Sequence, residues 1–218
     1  MTTTADTTTM DLRGLTITTA IMAATLEKLE DMAVGDELDV LVERAPGIVP
    51  DLEAWSRVTG NSVSFVDGAA TSQRVHIRKG SAKPNERSVA IVVSHDGLLE
   101  LLSPLGFALG AAQEGARVSV YLQGPAVHVL RPGFSPTLPW PMRPFSLFAR
   151  PRIEASGHVA AIEKLRQLQL LGGRIYACAP SMERFGVDPT DLRLNDVTVC
   201  EYLTFMEVMQ EADVQLYP

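Results

Sequence analysis

Val89-Ala-Ile-Val-Val93 sets five apolar residues in a row without alternation, the pattern of a strand covered on both faces of a sheet. Helical residues from Leu98 to Gln113 follow it, Val118 to Leu122 repeats the strand signal, and Val127 to Leu130 reads as a third short strand. A Pro-rich passage from Pro132 to Pro151 carries Trp140, Phe145 and Phe148. A loop of that length in a compact domain serves as a lid, a binding loop or an oligomer contact. Val159, Ile162, Leu165 and Leu168 then mark an amphipathic helix that ends at Gly172-Gly173, and Arg174 to Ala177 forms the next strand, with Cys178 at its end. A last helix around Val199, Leu203, Met206 and Met209 leads into a terminal strand, Val214 to Tyr217. Strands alternating with helices specify an α/β domain with a mostly parallel sheet and helices on both faces.

Upstream the pattern is different. Leu12 to Ile17 reads as a strand, and Ile21, Met22, Leu26, Leu29 and Met32 recur at helical spacing before Val34-Gly35-Asp36. Leu38, Val40 and Val42 alternate with polar neighbours in a half-buried strand. Pro50-Asp51-Leu-Glu53 opens a second helix that stops at Gly60, and Asn61 to Asp67 with Arg74 to Arg78 form a hairpin. The order β-α-β-α-β-β specifies a two-layer α+β sandwich. Four segments are therefore expected: a disordered tail 1–10, a first domain 11–79, a linker 80–87 and a second domain 88–218.

Composition narrows the function. The chain of 218 residues is 46% hydrophobic and 21% charged, with a net charge of −7. Residues 1–80 carry −5 of that charge and the remainder −2, so neither half offers the cationic surface a nucleic-acid partner requires. The opening Met1 to Thr9 lacks a basic region and an apolar core, which argues against a secretory signal. The longest apolar stretch, Leu101 to Ala112, is too short to span a bilayer. A cytoplasmic protein without a membrane segment is expected. Two cysteines without a Cys-x-x-Cys pair give neither a disulfide framework nor a structural zinc. There is no dinucleotide fingerprint, P-loop or nucleophile elbow, so no cofactor is expected.

Cys178 is the candidate catalytic residue. It stands at the carboxyl end of a strand, where ligands collect in open parallel sheets, and a helix can begin at Ser181. A thiol beside a helix N-terminus is a stabilised thiolate; the other reading is an inert buried cysteine. Cys200, on the Val199/Leu203 face of the predicted last helix, reads as core packing; a pairing with Cys178 is left open by the sequence, which shows no obvious resolving cysteine beside Cys178. His95 and Asp96 follow the first strand of this domain and read as a turn beside Gly97. His128 and His158 are isolated, with no metal suggested for them, and His76 reads as a solvent-facing strand residue.

Two resemblances follow from these stretches. Residues 11–79 resemble the TusA (SirA-like) sulfur-carrier family through Leu12-Arg-Gly-Leu15, Val34-Gly-Asp-Glu-Leu38 and Val75-His-Ile-Arg-Lys-Gly80. That family carries a persulfide on a cysteine in a Cys-Pro-x-Pro stretch. Here Ile17 falls at the cysteine, with Thr18 and Ala20 at the prolines, so the resemblance implies a catalytically silent docking module. Residues 88–218 resemble the DsrE/DsrF-like family, in its peroxiredoxin-like branch, through Ala177-Cys-Ala-Pro-Ser-Met-Glu-Arg-Phe-Gly186 and Val199 to Leu203. The resemblance implies a sulfur-relay protein, sulfurtransferase-like, bearing a persulfide on Cys178 and exchanging it with donor and acceptor proteins or low-molecular-weight persulfides. It also implies a homo-oligomer, trimer or hexamer. A binding or assembly protein without thiol chemistry, using Trp140, Phe145 and Phe148 as contacts, is the alternative.

Overall fold

The computed structural model describes residues 8–15, 18–45, 47–67, 71–81, 87–155 and 158–218. The chain divides into two compact units, one running to Asn85 and taking in Ile153–His158, the other formed by Glu86–Arg152 and Val159–Pro218.

The first unit has the elements β1 (Thr8–Asp11), α1 (Thr18–Glu30), β2 (Glu37–Glu43), α2 (Ile48–Thr59), β3 (Ser62–Asp67) and β4 (Ser72–Arg78). Its sheet has the order β1-β2-β4-β3, with β1 parallel to β2 and the other pairs antiparallel. Alternation in β2 and β4 turns Leu38, Val40, Val42, Val75 and Ile77 to one face, where Ile21, Met22 and Leu29 of α1 and Leu52 and Trp55 of α2 cover them. The opposite face keeps the charges, with His76 Nδ1 2.8 Å from Asp39 and Arg74 3.6 Å from the same carboxylate. Lys79 Nζ donates to the Leu29 and Met32 carbonyls at 2.6 and 2.7 Å, a cation closing the C-terminal end of α1. Only glycine fits at position 80, since a Cβ there would lie 1.8 Å from the Gly60 carbonyl oxygen.

The first strand lies earlier than the sequence suggested, at Thr8–Asp11 instead of Leu12–Ile17, so three residues of the expected tail belong to the sheet. The Asp11 carboxylate accepts from the Arg13 N–H and guanidinium, and Gly14 has φ +98°, which turns the chain where the strand was expected to run. Ile17, the first seven residues and most of the expected linker lie outside the described residues.

The second unit contains β5 (Ser88–Val93), α3 (Leu102–Gln113), β6 (Arg117–Leu122), α4 (Ser146–Ala155), α5 (Ala161–Leu170), β7 (Arg174–Cys178), α6 (Ala179–Phe185), β8 (Val197–Cys200), α7 (Tyr202–Gln210) and β9 (Val214–Leu216). All its strand pairs are parallel, in the order β8-β7-β6-β5-β9. The chain steps from β5 outward to β8 and then returns to the other side of β5. With right-handed crossovers that reversal sends α3, α5 and α6 to one face and α7 to the other. The two cores agree. Ile91, Val120, Ile175 and Ala177 pack with α3, α5 and α6, whereas Ala90, Val92, Tyr121, Tyr176, Cys178 and Cys200 pack with Phe205 and Met209 of α7.

Three expectations for this unit are corrected. Val127–Leu130 belongs to a 3-10 helix, Gly124–Leu130, because Gly124 (φ +52°) and Pro125 turn the chain directly after β6. A short apolar run does not distinguish these outcomes by itself. The Pro-rich passage is not a loop throughout, since a 3-10 turn at Arg143–Phe145 leads into α4, with Pro144 in an opening turn that needs no N–H donor. Cys200 closes a strand instead of lying on a helix, since Val197-Thr-Val199 is β-branched and α7 begins only at Tyr202.

Lys164 is buried in α5, where its ammonium donates to the Leu102 carbonyl at 3.2 Å. Burial lowers its pKa to about 8 from 10.5. The unfolded chain therefore binds the proton more tightly, and the charged form costs the fold about 3 kcal/mol below pH 8. Lys164→Met is expected to be more stable than the wild type by about 1–2 kcal/mol at pH 7, after loss of the hydrogen bond. In denaturant titrations that advantage should shrink as pH rises from about 8 towards 10.5, where both states of the wild type become neutral. An advantage independent of pH would show that charge burial is not its cause.

Candidate functional site

Tyr176 and Cys178 alternate with Ile175 and Ala177 along β7, so the sulfur points to the face under α7. Cys178 is also the N-cap of α6, with extended φ and ψ of −71° and 111°, and Pro180 stands in the first turn of that helix. The side chain is fully buried. Groups from α6, β6 and α7 bear on its ionisation.

Ser181 supplies its hydroxyl and its backbone N–H, Tyr121 of β6 and Tyr202 of α7 their phenols. Burial, the largest single influence, works against the thiolate, but these donors outweigh it and the Cys178 pKa lies below its ordinary value. The Ser181 hydroxyl oxygen accepts from the Gly124 N–H at 2.9 Å, which leaves its proton to point at the sulfur. A neutral thiol is a poor acceptor. Accordingly Cys178 makes no side-chain capping bond, and the buried Tyr121 hydroxyl lacks a partner at hydrogen-bonding geometry among the described residues. An anion at the sulfur would give the Tyr121 hydroxyl an acceptor. Burial first and Cys178 second push the Tyr121 phenol up, while Cys178 is the principal cause of the raised Tyr202 pKa.

A cleft of about 530 Å³ opens beyond the carboxyl ends of β5, β6, β7 and β8. Ser94, Gln123, Gly124, Ser181, Arg184 and Tyr202 line it together with Pro125, Pro180 and Phe185. Ser181 and Tyr202 belong both to the cleft and to the shell around the sulfur, so Cys178 lies one side chain behind the cleft wall. Tyr202 is 55% exposed and is the side chain whose rotation would open that wall. Arg184, 5.8 Å over the Phe185 ring, gives the rim a cation.

Among the other residues marked in the sequence, Asp96 and His128 prove to be partners, Nδ1 lying 2.8 Å from the carboxylate. Phe134 and Phe185 flank that imidazole at 5.4 and 5.2 Å, so His128 is not isolated. His95 is exposed, His76 is paired with Asp39, and the His158 N–H donates to the Ile153 carbonyl. No group of three or more His, Cys, Asp or Glu among the described residues could hold a metal ion.

The sequence reading missed Tyr121, Tyr202 and Cys200. Cys200 is the direct register partner of Cys178 across β7 and β8, so a second thiol does lie beside Cys178, where the sequence showed no obvious one. Burial first, and the Cys178 charge second, push the Cys200 thiol up. The β-branched run before Cys200 was the available signal. Tyr121 had none, because aromatic residues are ordinary in buried strands.

In comparisons with known proteins, the DsrE/DsrF-like family matches residues 87–218. No curated protein matches the chain. Eight chains of solved structures do. One of them, the ychN protein of E. coli, is 14% identical, covers 61% of this chain and 99% of its own, and superposes with a TM-score of 0.46.

Proposed function

Because the chain belongs to the DsrE/DsrF-like family through residues 87–218, we propose that it is a sulfur-relay protein which carries sulfane sulfur as a persulfide on Cys178. The geometry that carries this reading is a buried Cys178 that ends β7 and caps α6, with Ser181 and Tyr202 lining the cleft at that strand end and the Ser181 hydroxyl fixed by the Gly124 N–H. In the reaction the Cys178 thiolate attacks the outer sulfur of a donor persulfide, its S–S bond breaks, and the donor thiolate leaves. The protein is left with a persulfide whose negative outer sulfur faces the same donors. Return is the same step run towards an acceptor thiolate. Access requires Tyr202 to swing from the wall, since Cys178 has no exposure in the closed arrangement. The reduced thiols this needs are kept in the cytoplasm.

The first unit fits the role of a docking module. It has the strand and helix order of the TusA-like resemblance, and the cysteine position of that resemblance falls on Ile17. Donor and acceptor proteins are the partners such a module would hold.

The test uses Cys200→Ser, which leaves Cys178 as the single thiol. Brief exposure to sodium polysulfide, followed by desalting and intact-mass measurement, should add one sulfur to that protein and none to Cys178→Ser/Cys200→Ser. Equal masses before and after treatment would refute persulfide formation.

A second reading, assembly through apolar contacts, is favoured by Trp140, Phe145, Leu147 and Phe148, which are 85, 55, 76 and 72% exposed. Exposed aromatic residues clustered in one segment mark interaction surfaces. A homo-oligomer held by this segment, a trimer or hexamer, should lose mass in light scattering on Trp140→Ser/Phe148→Ser. An unchanged mass removes this segment from the interface.

A further inference from the structure

Cys178 and Cys200 end adjacent parallel strands as register partners, and both pack in the core under α7. Neighbouring strands stand ~4.8 Å apart, inside the window of about 4.4–6.8 Å between Cα atoms that a disulfide requires. Residues directly opposite in a parallel pair point to the same face, so neither side chain need change sides of the sheet to meet the other. Both are free thiols, and neither is exposed to solvent by more than 8%. Two buried nucleophiles in register go beyond what a carrier of sulfur needs, since one thiol suffices to hold a persulfide.

We infer that Cys200 is a resolving thiol which discharges the Cys178 persulfide as hydrosulfide and leaves a Cys178–Cys200 disulfide. The inference rests on the persulfide reading above and adds a second route of departure, taken when no acceptor thiolate is present. Cys200 Sγ attacks Cys178 Sγ, the bond from Cys178 to the outer sulfur breaks, and that sulfur leaves with the electron pair. The Cys200 proton ends on it, giving hydrosulfide. The sulfane sulfur is reduced by two electrons and the thiol pair is oxidised by two, so this step needs no other reactant. A dithiol reductant then restores the free pair. Burial and the neighbouring charge hold Cys200 protonated while Cys178 is a thiolate. Transfer of that charge to the outer sulfur removes it from the Cys200 side and frees the second thiol to react.

The experiment loads the full reduced chain with sodium polysulfide, desalts it, and follows intact mass and released sulfide over time. The wild type should lose its added sulfur, release one sulfide per chain, and end two hydrogens lighter than the starting protein. In Cys200→Ser the sulfur should persist about tenfold longer or more, and Cys200→Ala should behave alike, which separates the missing thiol from any effect of serine on folding. Equal persistence in wild type and both variants would overturn the resolving role while leaving the persulfide carrier intact. Failure of the variants to take up sulfur at all would overturn both.

Discussion

Ser181→Ala is expected to raise the pKa of the Cys178 thiol and to slow its alkylation markedly. A hydrogen bond to a charged group contributes roughly 1.5–3 kcal/mol. Ser181 is the largest of the influences that favour the thiolate, ahead of Tyr121. Its hydroxyl is oriented by the Gly124 N–H, so the loss is of a fixed donor and not of one freely rotating. Alkylation of Cys178 by iodoacetamide at pH 7 should slow about tenfold or more as the thiolate fraction falls. Tyr121→Phe makes a sharper companion. Removing a buried hydroxyl that lacks a hydrogen-bonding partner should leave the fold as stable as before or more so, while the same change should slow alkylation. Reactivity and stability thus move in opposite directions. A loss of both together would mean that Tyr121 serves packing alone.

Trp55→Ala is expected to destabilise the first unit strongly. The indole is fully buried between α2 and the sheet, against Leu38, Val40, Val42, Val75 and Ile77 in one cluster. Truncating a buried tryptophan costs about 3–5 kcal/mol, and a unit of roughly 75 residues holds on the order of 4–11 kcal/mol at the usual stability per residue. The variant should lose a substantial part of that margin, and all of it at the lower end of the range. Hydrogen exchange should show loss of protection in β2 and β4, whereas β5, β6 and β7 should keep theirs, since the two cores share no residue. Retained protection in β2 and β4 would contradict the importance given to this side chain.

Both architectures were legible from periodicity. Leu38, Val40 and Val42 alternate and Val89 to Val93 do not, which is the difference between a sheet covered on one face and one covered on both. Boundaries failed where a local contact outweighed the pattern. The Asp11–Arg13 pair turned the expected first strand into a turn, and Gly124-Pro125 wound Val127 to Leu130 into a 3-10 helix. The last helix was drawn too long because Val199, Leu203 and Met206 share a helical spacing, yet those residues are all exposed and Phe205 and Met209 carry the packing. That misreading hid Cys200. Cys178 was visible because strand ends can be read from one segment. Ser181 was visible with it, in the helix start that follows, whereas Tyr121 and Tyr202 belong to elements far along the chain. Asp96 and His128, 32 residues apart, are another such pair.

Sulfur relay on Cys178 requires a thiolate favoured by neighbouring donors in spite of burial. The most direct measurement is the pH dependence of iodoacetamide alkylation of Cys178 in the Cys200→Ser protein, because its midpoint reports ionisation whatever the absolute rate of access. The expected midpoint lies below the ordinary thiol value of about 8.5. A midpoint at or above that value would mean that burial prevails over Ser181, Tyr121 and Tyr202, and that the sulfur is not poised for relay.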